Sequence, residues 1–278
     1  MKLINQSVEY LPQEDLFKQI ERAARVCYKS ESSIKDGSAK KMVDGLIKAG
    51  HNAMLEHGTV YLKVEGSSDF KTISSCVIFE VYSRYRFNPY SKIVTITEGK
   101  SNKVTYYITT NYRVIIENNW LEDLKYQCEP TEHHVKRYTF RLTTSIGIGR
   151  ELTRHRAFSF AQESSRYCDY SNNSKFNEGI TFIIPYWLEN SNDGAFKTFM
   201  DNCKNAEKSY FKLKEDLSPQ QAREVLPLCT KSELIMTGFE DDWKRFLKIR
   251  LEGTTGKPHP DMVELAKLIK NELEKTKK

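Results

Sequence analysis

Between residues 66 and 137 the chain changes character, and that change limits the fold more than any other feature. "VIFEVYSRYRF" (77–87), "KIVTITEG" (92–99) and "KVTYYITTN" (103–111) are rich in β-branched and aromatic residues. Such segments suit strands, and "EGKSNK" (98–103) has the polar, glycine-bearing make-up of a hairpin turn. "NWLEDLKYQC" (119–128) reads as a short helix. Elsewhere helices and strands are mixed without regular βαβ alternation. This pattern predicts an α+β fold, with mixed helices around an antiparallel sheet and a β-rich insertion at about 66–137 of a single domain spanning 1–278.

Upstream, Phe17, Ile20, Ala24 and Cys27 fall on one helical stripe within "QEDLFKQIERAARVCY" (13–28). Met42, Val43, Leu46 and Ile47 repeat it over 38–49, where Ser38 can cap and Gly50 can end the helix. "GHNAMLEHG" (50–58) reads as a polar elbow before the strand "TVYLKVE". Downstream, "RYTFRLTT" (137–144) reads as a strand and "SIGIGRELTRHR" (145–156) as a helix. Over 195–217, Phe196, Phe199, Met200, Cys203, Tyr210, Leu213 and Leu217 form an inward helical face. "SPQQAREVLP" (218–227) opens with a capping box, Ser218 to Gln221, and Pro219 in the first turn. Trp243, Phe246, Leu247 and Arg250 share a face of the next helix, and a last helix covers roughly 261–276.

Composition narrows the function classes. The 278 residues are 39% hydrophobic and 29% charged, with a net charge of +6, which suits nucleic acid or small phosphorylated ligands. No run of about 18 apolar residues occurs, and "MKLINQSVEYLPQED" lacks a signal-peptide core, so a cytoplasmic protein with no membrane partner is expected. None of the six cysteines, at 27, 76, 128, 168, 203 and 229, forms a C-x-x-C pair, and His133 and His134 are adjacent; no metal is expected. G-x-G-x-x-G and G-K-[ST] loops are absent, which disfavours Rossmann and P-loop sites.

The densest chemistry lies in "TRHRAFSFAQESSRY" (153–167). Arg154 and Arg156 offer forked N–H donors suited to phosphate or carboxylate. Ser164, Ser165 and Arg166 repeat that donor set, and Gln162 adds an amide able to read a base edge. The bland alternative is an exposed segment whose arginines bridge to Glu151 or Glu163. Arg223 sits mid-helix among apolar residues and Arg250 on an apolar face, so each needs an anionic partner from protein or ligand. His51, Glu56 and His57 make a dense polar turn.

These residues, in this order, resemble the flavin-dependent thymidylate synthases. The family's signature is R-H-R, seven residues, then Ser; here it stands as Arg154-His155-Arg156, "AFSFAQE", Ser164, followed by "SRY". "AARVCY" (23–28), "GHNAMLEHGTVYL" (50–62), Ala222-Arg223-Glu224-Val225-Leu226-Pro227 and "WKRFLKIR" (243–250) also match. The resemblance covers roughly 13–63 and 138–270. It implies reductive methylation of dUMP to dTMP, with methylenetetrahydrofolate as carbon donor and FAD, reduced by NADPH, as hydride source. It further implies a homotetramer with sites shared between subunits.

Carried over residue by residue, the resemblance puts Glu151, Arg154, Gln162, Ser164, Ser165, Arg166, Arg223 and Arg250 at dUMP. His51, Arg154, His155, Arg156, Gln162 and Arg245 fall at FAD. Arg223, stabilising charge on the uracil, and Ser164 carry the catalytic roles. The chain departs from the family at Phe239 and Arg245, where members often have Asn or His, and in the longer link "LEGTTGKPHPD" (251–261).

Three other readings make different demands. "LPLC" (226–229) echoes the Pro-Cys segment of the cysteine-dependent thymidylate synthases, which would make Cys229 a nucleophile. The same scaffold could hydroxymethylate a pyrimidine nucleotide. "RYRF" and "TNYR" could stack single-stranded nucleic acid, although the predicted partners include none.

Overall fold

The computed structural model of the chain describes residues 1–67, 73–98, 102–172, 176, 179–188, 191 and 193–276. In chain order the first elements are β1 (Lys2–Ile4), β2 (Ser7–Tyr10), α1 (Leu16–Val26), α2 (Ser38–Lys48) and β3 (Thr59–Ser67). Then come α3 (Ile73–Arg86), β4 (Lys92–Glu98), β5 (Lys103–Asn111), α4 (Tyr112–Glu117) and β6 (Arg137–Ser145). The remainder holds α5 (Ile146–Leu152), β7 (Ser159–Gln162), β8 (Thr181–Ile183), α6 (Asp193–Lys214), α7 (Pro219–Ala222), β9 (Lys231–Phe239), α8 (Glu240–Arg250) and α9 (Pro260–Lys275). Mixed helices and antiparallel sheets make this an α+β fold, as the sequence predicts. Among the described residues no helix is long and apolar enough to cross a membrane.

The chain divides into two compact units. One comprises Met1–Pro12, Arg22–Ile34 and Thr139–Lys278; the other comprises Gln13–Glu21 and Lys35–Tyr138. Helix α1 and strand β6 each contribute residues to both.

The smaller unit is built on the antiparallel sheet β3-β5-β4, in register from Thr59↔Asn111 to Glu98↔Lys103. The turn expected between β4 and β5 at residues 98–103 lies partly outside the described residues. Leu62 and Ile108 from the sheet, Ile115 from α4, Leu55, Val43 and Ile20 are fully buried together. Helix α2 ends in a Schellman motif: Gly50 N–H donates to Ile47 O at 3.1 Å and His51 N–H to Leu46 O at 2.9 Å. Gly50 has φ +70°, a conformation that glycine adopts without a Cβ clash. Ser38, expected as the cap, is instead the first helical residue, and its hydroxyl donates to the Glu21 carboxylate at 3.0 Å.

One prediction fails here for a clear reason. "VIFEVYSRYR" forms most of helix α3 rather than a strand. Ile78, Val81 and Tyr85 recur at three- and four-residue steps and bury one face, and Glu80 pairs with Arg84 one turn on. Burial of that stripe overrides the local β preference of valine and tyrosine. Asp123, 2% exposed, accepts from Tyr85 Oη at 3.1 Å and pairs with Arg84 at 3.3 Å.

The larger unit holds the sheet β2-β6-β9-β7, in which β2 runs antiparallel to β6 and β7 to β9. Strand β7 is therefore an edge. Trp243 of α8 places its ring 4.9 Å from Phe140 of β6 and 4.6 Å from Phe158, with Phe246 beside it. Gly238 of β9 makes that packing possible, because a Cβ there would lie 2.4 Å from the Phe158 ring. Helix α9 packs against β2, burying Met262, Leu265, Ala266, Ile269 and Leu273 as one stripe of helical period. A second cluster joins Tyr170, Phe182 of β8, and Cys203 and Tyr210 of α6; Leu217, expected on that inward face, is 38% exposed beyond the helix end. Strand β1 pairs in parallel with β8, Lys2↔Thr181 through Ile4↔Ile183.

Candidate active site

The R-H-R segment is not helical. Ser145 caps α5, its Oγ accepting from Ile148 N–H at 3.2 Å, and the helix stops at Leu152. Its exit tightens into three-residue bonds, with Arg154 N–H donating to Glu151 O and His155 N–H to Leu152 O. A helix would turn Arg154 and Arg156 about 200° apart. The turn instead brings both to one cleft of 380 Å³. Asp242, Arg245, Ile249 and Arg250 of α8 complete its wall, and His155, Phe158 and Phe246 supply an aromatic floor.

Electrostatics divides these cations into bound and free. Arg250 Nη1 pairs with Glu151 Oε2 at 3.0 Å, Nη2 donates to Glu151 O at 3.2 Å, and Nε donates to His155 Nε2 at 2.8 Å. Burial, with the Arg250 and Arg245 charges, pushes the His155 imidazole down to about 4. The ring is therefore neutral near pH 7, with Nε2 accepting and the proton on Nδ1. Among the described residues, Arg154, Arg156 and Arg245 have no carboxylate within salt-bridge distance.

A second cleft, of 310 Å³, is lined by Ile146, Arg150, Gln162, Glu163, Ser164, Ser165, Tyr170, Arg223 and Ser232. Edge strand β7 ends at Gln162, whose Nε2 donates to Ser232 Oγ at 3.0 Å, and the chain turns there. Ser164 N–H donates to Cys27 O at 3.0 Å, which fixes that turn. The predicted capping box opens α7, with Gln221 Oε1 accepting from Ser218 N–H at 3.1 Å. Arg223 is not mid-helix: α7 stops at Ala222, and Arg223 begins a 3₁₀ turn, half-buried. That turn aims its guanidinium at Ser165, to which Nη1 donates at 3.3 Å; Nε lies 3.5 Å from Glu224.

A buried ion network underlies this cleft. Glu163, an arginine partner only in the bland alternative, accepts from Lys231 Nζ at 2.7 Å and from Tyr170 Oη at 3.1 Å. Lys231 also pairs with Glu233 at 2.7 Å, and Glu233 with Lys29 at 2.9 Å. Burial opposes the Glu233 charge, but Lys231 and Lys29 outweigh it and hold the carboxyl down to about 2.

The structure thus gathers Gln162, Ser164, Ser165 and Arg223 in one cleft, and Arg154, His155, Arg156, Arg245 and Arg250 in another, with Glu151 held by Arg250. Arg166 is exposed and lies over the Tyr167 ring at 5.4 Å rather than lining either cleft. His51 is exposed in the smaller unit. The sequence reading omitted Arg150, although it stands one helical turn before Arg154. It also omitted Phe158 and Phe246 as a floor. Cys229 has Cys203 Sγ at 3.8 Å, and the hydrogen bond between them, with burial, pushes the Cys203 thiol up. The same Cys203 hydrogen bond lowers the Cys229 thiol against its burial, and among the described residues no cation adds to that effect.

The family model described as thymidylate synthase complementing protein matches residues 8–73 and 97–276, leaving out 74–96 in α3 and the start of β4. A probable flavin-dependent thymidylate synthase of Paramecium bursaria Chlorella virus 1 is 25% identical over 145 residues, 47% of this chain. The flavin-dependent thymidylate synthase of Synechocystis is 24% identical over 144 residues, again 47% of this chain. Each match spans 64% of the relative's length. Among solved structures, a UMP/dUMP methylase, PolB, of Streptomyces cacaoi aligns at TM-score 0.47 and 17% identity, covering 99% of this chain and 93% of that one. With well over half its residues matched by the family model, and with the R-H-R turn and its serines set in clefts of one unit, the chain belongs to the thymidylate synthase complementing protein family.

Proposed function

We propose that this protein is a flavin-dependent thymidylate synthase that converts dUMP to dTMP with methylenetetrahydrofolate, FAD and NADPH. The observation that carries the reading is the arginine cleft: three cations that, among the described residues, have no carboxylate within salt-bridge distance, above an aromatic floor. That donor set fits the pyrophosphate and flat ring system of FAD. Arg154, Arg156 and Arg245 would hold the phosphates; His155, Phe158 and Phe246 would flank the ring. Gln162 lies in the other cleft and His51 in the smaller unit, so their assignment to FAD rests on the family resemblance alone. The chemistry required of a flavin here is storage of a hydride, drawn from NADPH, for reduction of the transferred carbon.

The chain's own groups would do the rest. Ser164, Ser165 and Arg150 supply donors for the dUMP phosphate, with Arg166 at the margin. Gln162 presents an amide to the uracil edge. Arg223 sets a fixed positive charge where the uracil carbonyls gain electron density, which lowers the barrier by preorganised electrostatics. Arg250 keeps Glu151 oriented and leaves His155 uncharged, so the imidazole adds no competing cation. The dUMP donors split between two clefts: Glu151, Arg154 and Arg250 stand apart from the serines and Arg223. This supports a homotetramer in which a second copy completes each site.

The test is the visible spectrum of the purified protein, with and without dUMP. A flavin spectrum that dUMP perturbs, and a product heavier than dUMP by one methyl group, are expected. Colourless protein that FAD does not reconstitute would end the proposal. A product carrying a hydroxymethyl group would replace it with a hydroxymethylating enzyme.

A further inference from the structure

Two cysteines meet in the larger unit outside both of the clefts assigned above. Cys203 lies on α6 and is fully buried; Cys229 is partly buried, in the link between the Arg223 turn and β9. They stand 26 residues apart in the chain, yet their Sγ atoms are 3.8 Å apart. Both pack in the cluster of Tyr170, Phe182 and Tyr210. The main chain around Cys229 is tied on three sides. Leu228 O accepts from Gly147 N–H at 3.0 Å, Cys229 O from Ile183 N–H at 2.8 Å, and Thr230 O from Ile146 N–H at 2.9 Å. The two thiols are therefore held face to face by fixed elements. A sulfur–sulfur bond would need a further approach of about 1.8 Å.

The two thiols are not equivalent. Cys229 lines a third cleft, of 290 Å³, which gives a small molecule a path to its sulfur, and Cys203 does not line it. The hydrogen bond from Cys203 also favours the thiolate on Cys229 and keeps the proton on Cys203. Charge restricts what can enter. Glu151 and Asp261 line the cleft and, among the described residues, no Lys or Arg does. A small neutral oxidant such as hydrogen peroxide suits it, and a bulky anionic disulfide such as oxidised glutathione does not.

We propose that Cys229 and Cys203 form a hydroperoxide-reactive pair that closes reversibly to a disulfide. The Cys229 thiolate attacks one peroxide oxygen; an S–O bond forms and the O–O bond breaks. This leaves a sulfenic acid on Cys229 and hydroxide, which takes up the proton lost by the thiol and departs as water. The Cys203 sulfur then attacks the sulfenic sulfur; the S–S bond forms, the S–O bond breaks, and the oxygen leaves as a second water with the Cys203 proton. The thiols lose two electrons and the peroxide gains them. Rotation of the two side chains brings the sulfurs together, because the Cys229 main chain is tied. Cys203 thereby stops oxidation at a state that a dithiol reverses, before the irreversible sulfinic acid. The chemistry is independent of the reaction assigned to the other clefts.

The purified, reduced full chain is exposed to hydrogen peroxide, alkylated with iodoacetamide and mapped by mass spectrometry without reduction. A peptide pair linked through Cys203 and Cys229, two hydrogens lighter than its reduced parts and released by dithiothreitol, is expected. In Cys203→Ala the sulfenic acid should persist on Cys229 and be trapped by dimedone; Cys229→Ala should give neither product. Cys76, which is exposed, reports that the oxidant has acted. Oxidation of Cys76 with no Cys203–Cys229 peptide overturns the proposal, and so does dimedone on Cys203 rather than Cys229. Should either variant fail to fold, the wild-type map alone decides whether the pair closes.

Discussion

Arg250 donates its Nε hydrogen to Nε2 of His155 across 2.8 Å. A protonated imidazole could not accept that bond, so protonation and the folded state compete. The pKa of His155 is about 4 in the fold against about 6.5 in the unfolded chain. Between those values the unfolded chain binds the proton more readily. Stability is therefore complete above about pH 6.5 and is lost as pH falls toward 4; the full shift corresponds to about 3 kcal/mol, and solvent screening of this partly exposed ring reduces it to on the order of 2 kcal/mol. Urea unfolding across this window checks it, and His155→Gln should flatten the slope.

Arg223→Ala should cost roughly 3 kcal/mol of transition-state stabilisation, about a hundredfold in kcat/KM for dUMP, with the fold intact. Arg223 is half-buried and its hydrogen bond to Ser165 is long, at 3.3 Å, so stability should move little. Steady-state kinetics beside a melting curve separate the two effects.

Glu163→Ala strands the Lys231 ammonium in a buried site with Glu233 as its remaining partner. A loss of about 3 kcal/mol in unfolding free energy is expected. Lys231→Met, added to Glu163→Ala, should recover part of it, because no buried cation then lacks its carboxylate. Chemical denaturation of the single and double variants decides the matter.

Gly238→Ala pushes a methyl group into the Phe158 ring. Overpacking of this kind costs about 1–3 kcal/mol. Phe158 also lines the arginine cleft, so flavin affinity should fall with stability. Flavin titration followed by thermal unfolding measures both.

Arg223→Ala and Arg250→Ala remove donors from different clefts. If each site is completed by a second copy, mixing the two impaired proteins under conditions that exchange subunits should raise activity above that of either alone. No recovery despite exchange, verified by mass, would place every donor of a site on one chain.

Much of this fold could be read from residue spacing. The α9 stripe, the α2 stop at Gly50 and the Ser218–Gln221 capping box are local patterns, and their outcome depended on local chemistry. Helix α3 escaped because valine, isoleucine and tyrosine suit strands, and only its buried face reveals the helical period. The donor residues were legible as types, but their division was not. Arg154 and Ser164 are ten residues apart, and one strand, β7, carries them to different clefts. The pairing of Glu163 with Lys231 was hidden for a related reason: its 68-residue separation is closed only by the β7–β9 register.

The pairing of β1 with β8 sets an order in time. Lys2 finds its backbone partner only when Thr181 has been made. At ribosomal speeds of about 5–20 residues per second, that wait is roughly 10–40 s. Strand β1 stays unpaired over that interval, and until β8 arrives its backbone edge is open to whatever else the cell presents.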